Sequence, residues 1–547
     1  MKRPAWLGLI VAAILLLIVF LANRLDLVTS HGRQPDTSKE PTLNRAANPD
    51  GWQAQGRHGE GSRAQLAVER RSHSIFKKAG PDHIQNEYVF RFAQPADLQK
   101  FIQSARDAGI EVLGSIEKFN SVRIRVRDRD QLERLLDEGT GPSDYENNYW
   151  VRLPETGNRD VELPEGVYTG FGDRALTWLG VPNDHQTWGR GVTVAVLDTG
   201  IEDHPALSGA TISRVDLLGA DGSATGVYQG HGTAVASLLA GSSPQAAGIA
   251  PAASLLSIRV ISGDGVGDAF TVASGIVEAV DRGVNIISLS LGSQGDSFIL
   301  RQAVDYATQK GVAVVASTGN DSIDSVSYPA RYPGVLAVTA VDANSRHMFF
   351  ANRGPEVDLA APGLGVNAAW SDKQIVSFSG TSAATPFVAG ALAALISQTP
   401  QLSADEAQAI LSRYSDDVGP PARDAEYGDG VLDIERALNR DQRGIYDMAI
   451  AGVYADIAKS SVTVSAQNRG TERLAAVQLR VAIDGSSQAF DFSNVEVGQT
   501  VSQEFHIDLA KARQDGGIIV RSSVIIRGVE DSQPANNVRD SIITVSK

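Results

Sequence analysis

Three textures of hydrophobic spacing follow one another along the chain. From Tyr88 to Leu153, short alternating runs (EYVFRF, IEVLGSIEKF, SVRIRVR and NNYWVRL) are separated by two stretches of helical spacing. The first, QPADLQKFIQSARDAG, repeats apolar residues at Leu98, Phe101, Ile102 and Ala105 and is closed by Gly109; the second is DQLERLLDEG. Alternation by two predicts strands, and spacing by three and four predicts helices. The resulting order, βαββαβ in roughly 70 residues, is the split-βαβ, ferredoxin-like arrangement.

Beyond Thr177 the texture changes. GVTVAVLDTG, ASLLSIRV, VNIISLSLG, VAVVASTGN and VLAVTAV are short, apolar, β-branched runs, and TAVASLLAG, AFTVASGIVEAVDRG and SFILRQAVDYATQKG between them carry a helical period. That alternation predicts an α/β domain with a mostly parallel sheet covered by helices on both faces. SADEAQAIL opens a late helix with a capping box, Ser403 with Glu406. From Asp447 to Lys547 helical signals nearly vanish. Alternating runs such as SSVTVSAQNRG, AAVQLRVAIDG, TVSQEFHIDL and GIIVRSSVIIRG turn at Asn-Arg-Gly, Asp-Gly and Gly-Gly. Five to seven strands in an all-β, Ig-like sandwich are expected there.

The chain opens with Lys2 and Arg3 before eighteen uncharged residues, 5–22. As a helix they would span about 27 Å, close to the bilayer's hydrocarbon thickness. The run is longer than the ~7–15 residues of a signal-peptide core. Neither Phe20-Leu21-Ala22 nor Val28-Thr29-Ser30 is a strong cleavage site. A signal anchor at 1–22 is therefore expected over a cleaved signal peptide; both place the body outside the cytoplasm. Residues 23–82 are polar and aperiodic, a linker. The expected organisation is anchor 1–22, linker 23–82, ferredoxin-like domain 83–160, α/β domain 161–440 and sandwich 447–547.

Composition changes this picture in two places. The 547 residues include no cysteine, which excludes disulfides, thiolate metal sites and cysteine nucleophiles. The net charge of −15 is uneven: residues 1–80 hold twelve Lys/Arg against six Asp/Glu. The acidic remainder argues against nucleic acid as a partner.

The candidate chemistry lies in the α/β segment. VAVLDTG sets Asp198 at the carboxyl end of a buried strand, where such sheets present reactive groups. GHGTAVASLLAG sets His231 at a helix start between Gly230 and Gly232, and SGTSAATP sets Ser382 at another. A serine hydroxyl needs a base to take its proton, and the imidazole in turn needs a carboxylate to hold its tautomer. Ser382, His231 and Asp198 are candidates for those roles. The Ser382 amide and the side chain of Asn320, ending VAVVASTGN, would donate to a tetrahedral oxyanion. Pro386 is expected in the first turns of the Ser382 helix, where its missing N–H costs little.

Residues ~170–440 resemble the subtilisin-like serine peptidases, the subtilase family. Asp-Thr-Gly at 198–200, His-Gly-Thr at 231–233 and Gly-Thr-Ser-Ala-Ala-Thr-Pro at 380–386 carry the resemblance, together with GIAPAASLLSIRV, YPARYPGVLAVTAVD, LAAPG and YGDGVLDIERAL. It implies an endopeptidase working through a serine acyl-enzyme on protein or peptide substrates, with no cofactor in the chemistry. It implies backbone pairing of substrate with Ser290, Leu291 and Gly292, and a side-chain pocket at Ala316, Ser317, Thr318 and Gly319 with Ser327 near its base. None of these pocket residues is acidic, so strong selection of Arg or Lys is not expected. Structural calcium is common in the family, and Glu202, Asp203, Asp216, Asp221, Asp264 and Asp268 are available without a choice among them. The βαββαβ segment resembles the propeptide of the family, an intramolecular inhibitor removed by a cut between Pro154 and Arg174. The sandwich resembles adhesion-related domains of exported bacterial enzymes. The competing reading is a membrane-tethered binding protein whose peptidase domain is inactive.

Overall fold

The computed structural model describes residues 82–137, 141–154, 168–219, 224–515 and 517–544. The expected membrane helix and nearly all of the linker lie outside the described residues, as does Asp221. Among the described residues no helix is long and apolar enough to cross a membrane.

The first module runs β1 (His83–Arg91), α1 (Pro95–Asp107), β2 (Glu111–Ile116), β3 (Ser121–Arg125), α2 (Arg129–Asp137) and β4 (Asp144–Arg152). Its strands pair antiparallel in the order β4-β1-β3-β2. One face buries Phe90, Val122 and Ile124 under Leu98, Phe101 and Ile102 of α1 and Leu132 of α2. The helical spacing read from the sequence is therefore the core-facing stripe of α1.

The central module is built on seven strands: β5 (Thr193–Asp198), β6 (Thr211–Asp216), β7 (Ser254–Arg259), β9 (Ile286–Leu289), β10 (Ala313–Ser317), β11 (Val335–Val341) and β12 (Leu359–Pro362). They are all parallel, in the order β12-β11-β10-β9-β5-β7-β6. Between β7 and β9 lie the three-residue strand β8 (Val266–Asp268) and helix α4 (Ala269–Asp281). The other helices used below are α3 (His231–Ala240), α5 (Phe298–Gln309), α6 (Thr381–Gln398), α7 (Ala404–Arg413) and α8 (Ile434–Asn439). Alternate residues of β5 serve opposite cores. Val194 and Val196 pack with α3 and α6, whereas Ala195 and Leu197 pack with α4 and α5. This is why each strand reads as a continuous apolar run. The Ser403–Glu406 capping box is present at the start of α7.

The first module is joined to the central one by a shared sheet and a shared core. β8 pairs antiparallel with β4 and extends the four-stranded sheet to five. Val89, Phe119, Tyr149, Val151 and Leu153 belong to the same apolar cluster as Phe270, Ile276 and Leu300 of α4 and α5.

The described residues of the last module form seven strands. β13 (Met448–Asp456), β14 (Ser461–Asn468) and β17 (Thr500–His506) form one sheet; β15 (Leu474–Ile483), β16 (Ser486–Val495), β18 (Ile518–Ile526) and β19 (Val538–Ile543) form the other, in the order β16-β15-β18-β19. Both contribute to one core that includes Val462, Val464, Leu479, Val481 and Val520. Ile483 and Ser486 close the β15–β16 hairpin through Asp484 and Gly485, both at positive φ (47° and 85°). The Asp-Gly signal thus forms the two-residue turn it favours.

Candidate active site

Three chain segments converge at the carboxyl end of the parallel sheet. Asp198 ends β5 and is fully buried; His231 is the first residue of α3, 1% exposed. The imidazole Nδ1 lies 2.9 Å from both carboxylate oxygens of Asp198. The approach depends on glycine. A Cβ on Gly232 would collide with the Gly200 carbonyl, so any larger residue would push α3 off the end of β5. Asp198 is further held by the Thr199 N–H at 2.7 Å. The His231 and Phe378 rings meet in a T-shaped pair, the centroids 5.3 Å apart, which sets the imidazole beside the strand leading into Ser382.

Ser382 is the second residue of α6 and 2% exposed, so its N–H belongs to the first turn, where helical amides have no internal acceptor. Asn320 reaches the same helix start. Its Oδ1 accepts from the Thr381 N–H at 3.0 Å and the Thr381 hydroxyl at 2.9 Å. With the oxygen committed, the amide N–H₂ occupies the other corner of the side chain.

Pro386 corrects one expectation. It is the sixth residue of α6, beyond the first turn, so its missing N–H falls opposite the Ser382 carbonyl four residues earlier. Ser290 makes up the loss by donating its hydroxyl to that carbonyl at 3.1 Å. In return the Ser382 hydroxyl donates to the Ser290 carbonyl at 3.3 Å. Two serines 92 residues apart are thereby locked as a reciprocal pair, with Ser290 1% exposed just beyond the end of β9.

The expected substrate edge already carries a strand. Arg152 and Gly292 exchange both backbone hydrogen bonds, at 2.8 and 2.9 Å, in antiparallel fashion. On its other side the segment pairs with β8, and the Leu153 N–H donates to the Gly265 carbonyl at 3.0 Å. The end of β4 therefore lies between two backbone edges. The expected side-chain pocket is compact: Ser317 donates to the Leu291 carbonyl at 3.5 Å and the Ser327 N–H to the Thr318 carbonyl at 3.0 Å. Ser327 stands between Gly292 and Gly319, where a Cβ on either glycine would press against it.

Two residues near this pocket were missed in the sequence. Asn352 is fully buried behind it and donates Nδ2 to the Thr318 carbonyl at 3.1 Å, Asp321 at 3.2 Å and Ser327 at 3.3 Å. Asp321 adds a carboxylate beside Ser327, also bound by Gln294 at 3.1 Å. Nothing in ANRG separates Asn352 from an ordinary turn asparagine.

Three of the acids offered for calcium are engaged by arginines. Asp203 pairs with Arg214 at 2.6 Å, Asp216 with Arg259 at 2.8 Å and Asp268 with Arg123 at 2.5 Å. Burial opposes ionisation of Asp268, but the Arg123 guanidinium and the Thr271 and Asn148 bonds hold its pKa below the usual range. Among the described residues no group of three or more His, Asp or Glu is arranged to hold a metal ion.

A buried carboxylate–imidazole pair, a helix-start serine and a side-chain amide are the groups that acyl transfer by base-assisted serine attack requires. Comparison with known proteins agrees in kind. A model of the "Subtilase family" matches residues 189–430. The thermostable alkaline protease of Halalkalibacterium halodurans is 38% identical over 287 residues, covering 51% of this chain and 76% of that protein. Subtilisin BL of Lederbergia lenta is 39% identical over 254 residues, covering 46% of this chain and 91% of its own. The crystal structure of fervidolysin from Fervidobacterium pennivorans, described as a keratinolytic enzyme related to subtilisin, is alike in fold over 85% of this chain and 77% of its own. The TM-score is 0.55 and the identity 20%.

Proposed function

This chain belongs to the subtilase family of serine peptidases, and from that premise we propose that it is an exported endopeptidase made as a self-processed zymogen. His231 takes the Ser382 proton as the hydroxyl turns from the Ser290 carbonyl to attack a peptide carbonyl. Asp198 holds the imidazole tautomer and stabilises the imidazolium. The Ser382 N–H and the Asn320 amide receive the oxyanion, and loss of such a donor typically costs about 10²–10³ in rate. Water then hydrolyses the acyl-enzyme. The observation that carries this reading is the bidentate approach of His231 to a wholly buried Asp198, with the imidazole ring against Phe378 of the strand that leads into α6.

Extended peptide would pair with Ser290, Leu291 and Gly292, as Arg152 does in the resting chain. The slot among Ala316, Ser317, Thr318, Gly319 and Ser327 suits compact side chains, because Ser327 stands in it with Asn352 behind. The strand order β4-β1-β3-β2 supports a ferredoxin-like propeptide, and the occupied substrate edge supports its role as an intramolecular inhibitor.

A fluorophosphonate probe tests the chemistry. Wild type is expected to label at Ser382, with Ser382→Ala unlabelled and Asn320→Ala labelled but slowed by about 10²–10³ in peptide hydrolysis. Folded wild-type protein that stays unlabelled after processing would refute the enzyme reading.

A further inference from the structure

The segment lying in the substrate edge has a fixed register, and that register can be followed to a single peptide bond. Antiparallel strands run in opposite senses, so pairing of Arg152 with Gly292 sets residue 153 against 291 and residue 154 against 290. The flanking contacts agree: Gly267 opposes Val151, Val266 opposes Arg152, and Leu153 bonds Gly265. Ser290 is the residue whose carbonyl and hydroxyl are both tied to Ser382. Carried two residues beyond the Arg152–Gly292 pair, the register brings Pro154 there.

A proline at that place has a further effect. Any other residue opposite Ser290 would bring an N–H toward the Ser290 carbonyl and continue the ladder; proline has none. In this structure the carbonyl instead accepts the Ser382 hydroxyl at 3.3 Å. The nucleophile's proton is thus held by the acceptor that the bound strand fails to use.

We propose that the chain's first cut breaks the bond after Pro154, and that the proline slows this cut by leaving the Ser290 carbonyl to bind Ser382. The inference rests on the peptidase reading above. The step is a hydrolysis. Ser382 Oγ bonds to the Pro154 carbonyl carbon and the C–N bond to Glu155 breaks. The Ser382 proton passes through His231 to the departing amine, and water then frees the Pro154 carboxylate. Replacing Pro154 supplies the missing N–H, gives the Ser290 carbonyl its strand partner and releases the Ser382 hydroxyl. One hydrogen bond of this kind corresponds to about a two- to tenfold change in rate.

The test follows the full chain made by cell-free translation, quenched at intervals and read by intact mass, for wild type, Pro154→Ala, Pro154→Ser and Ser382→Ala. The expected N-terminal fragment ends at residue 154 in wild type. Both position-154 variants are expected to yield the same-length fragment about two- to tenfold faster, and Ser382→Ala none. Two substitutions guard against a misfolded variant, because both supply an N–H and either can report it. A fragment ending elsewhere overturns the assigned bond; equal or slower cutting in both variants overturns the brake. Full-length wild type that labels with fluorophosphonate yet never self-cleaves overturns the inference and leaves the peptidase reading standing. Absence of both labelling and cleavage defeats the two together.

Discussion

At the scale of single residues, the pairing of Ser290 with Ser382 turns a helix defect into a positional constraint. Pro386 leaves the Ser382 carbonyl without its intrahelical donor, and the Ser290 hydroxyl takes that place. Ser290→Ala should therefore cost about 1–3 kcal/mol, the penalty of a buried unsatisfied carbonyl. Adding Pro386→Ala should return part of that loss by restoring a backbone N–H, so thermal unfolding of the two single variants and the double variant should be non-additive. Additive losses would mean that the two sites do not share this carbonyl. Asp198, His231, Asn320 and Ser382 were legible as candidates because each stands in a short local motif at a strand end or helix start. The bond between Ser290 and Ser382 was not, since it joins residues 92 positions apart and each serine alone reads as a cap or turn.

At the scale of elements, most strands of the central sheet announced themselves as apolar runs, and those that did not have physical reasons. β8, outside that sheet, is three residues long and contains Gly267, too short for any period to show, yet it adds a fifth strand to the first module's sheet. β6 carries an exposed, polar pattern at the sheet edge. Glu146 lies just before the run NNYWVRL that marks β4 in the sequence, and it caps helix α5. It accepts from the Phe298 N–H at 2.7 Å, the Ile299 N–H at 3.3 Å and the Ser297 hydroxyl at 2.7 Å. Burial pushes its pKa up to about 7 against those three bonds, with Asp144 adding to the rise. Tyr149, Asp296 and Arg301 line a cavity with Glu146, the Tyr332 hydroxyl feels its charge, and Arg91 pairs with Asp144. A carboxyl whose pKa is higher in the docked state binds a proton on docking, so the module's hold is greatest below about pH 4.5. It should weaken as pH rises to about 7 and then level off. In the uncut Ser382→Ala chain, the unfolding temperature of the first module should fall across that window, and Glu146→Gln should flatten the fall. An unchanged slope would remove Glu146 as its source.

At the scale of the whole molecule, the sandwich is bound to the central module through charge as well as backbone. Asp416 accepts from Arg436 of α8 at 2.7 Å and from Arg469, beside β14, at 2.9 Å. Gln467 bridges the Ser415 and Gly498 carbonyls at 3.0 and 3.3 Å. Burial raises the nearby Asp433 to about 7, with the Asp416 charge adding to the rise, so this seam cannot spare its arginines. Arg469→Met should cost more than the ~1 kcal/mol of an exposed pair and less than the ~3–5 kcal/mol of a fully buried one. Calorimetry should show one cooperative transition for central module and sandwich in wild type and two in the variant. A single unshifted transition would show that the pair contributes nothing to the coupling. The sandwich strands were foreseeable from alternation; this seam was not, because its charges come from three separate stretches of chain.

The strand held against Gly292 also bears on how such a protein would start up. An occupant attached to its own receptor acts at an effective concentration on the millimolar scale, whereas a severed one is subject to mass action. On the reading proposed above, freshly made protein would turn over added peptide only after a lag, and dilution after severance would raise specific activity instead of leaving it constant.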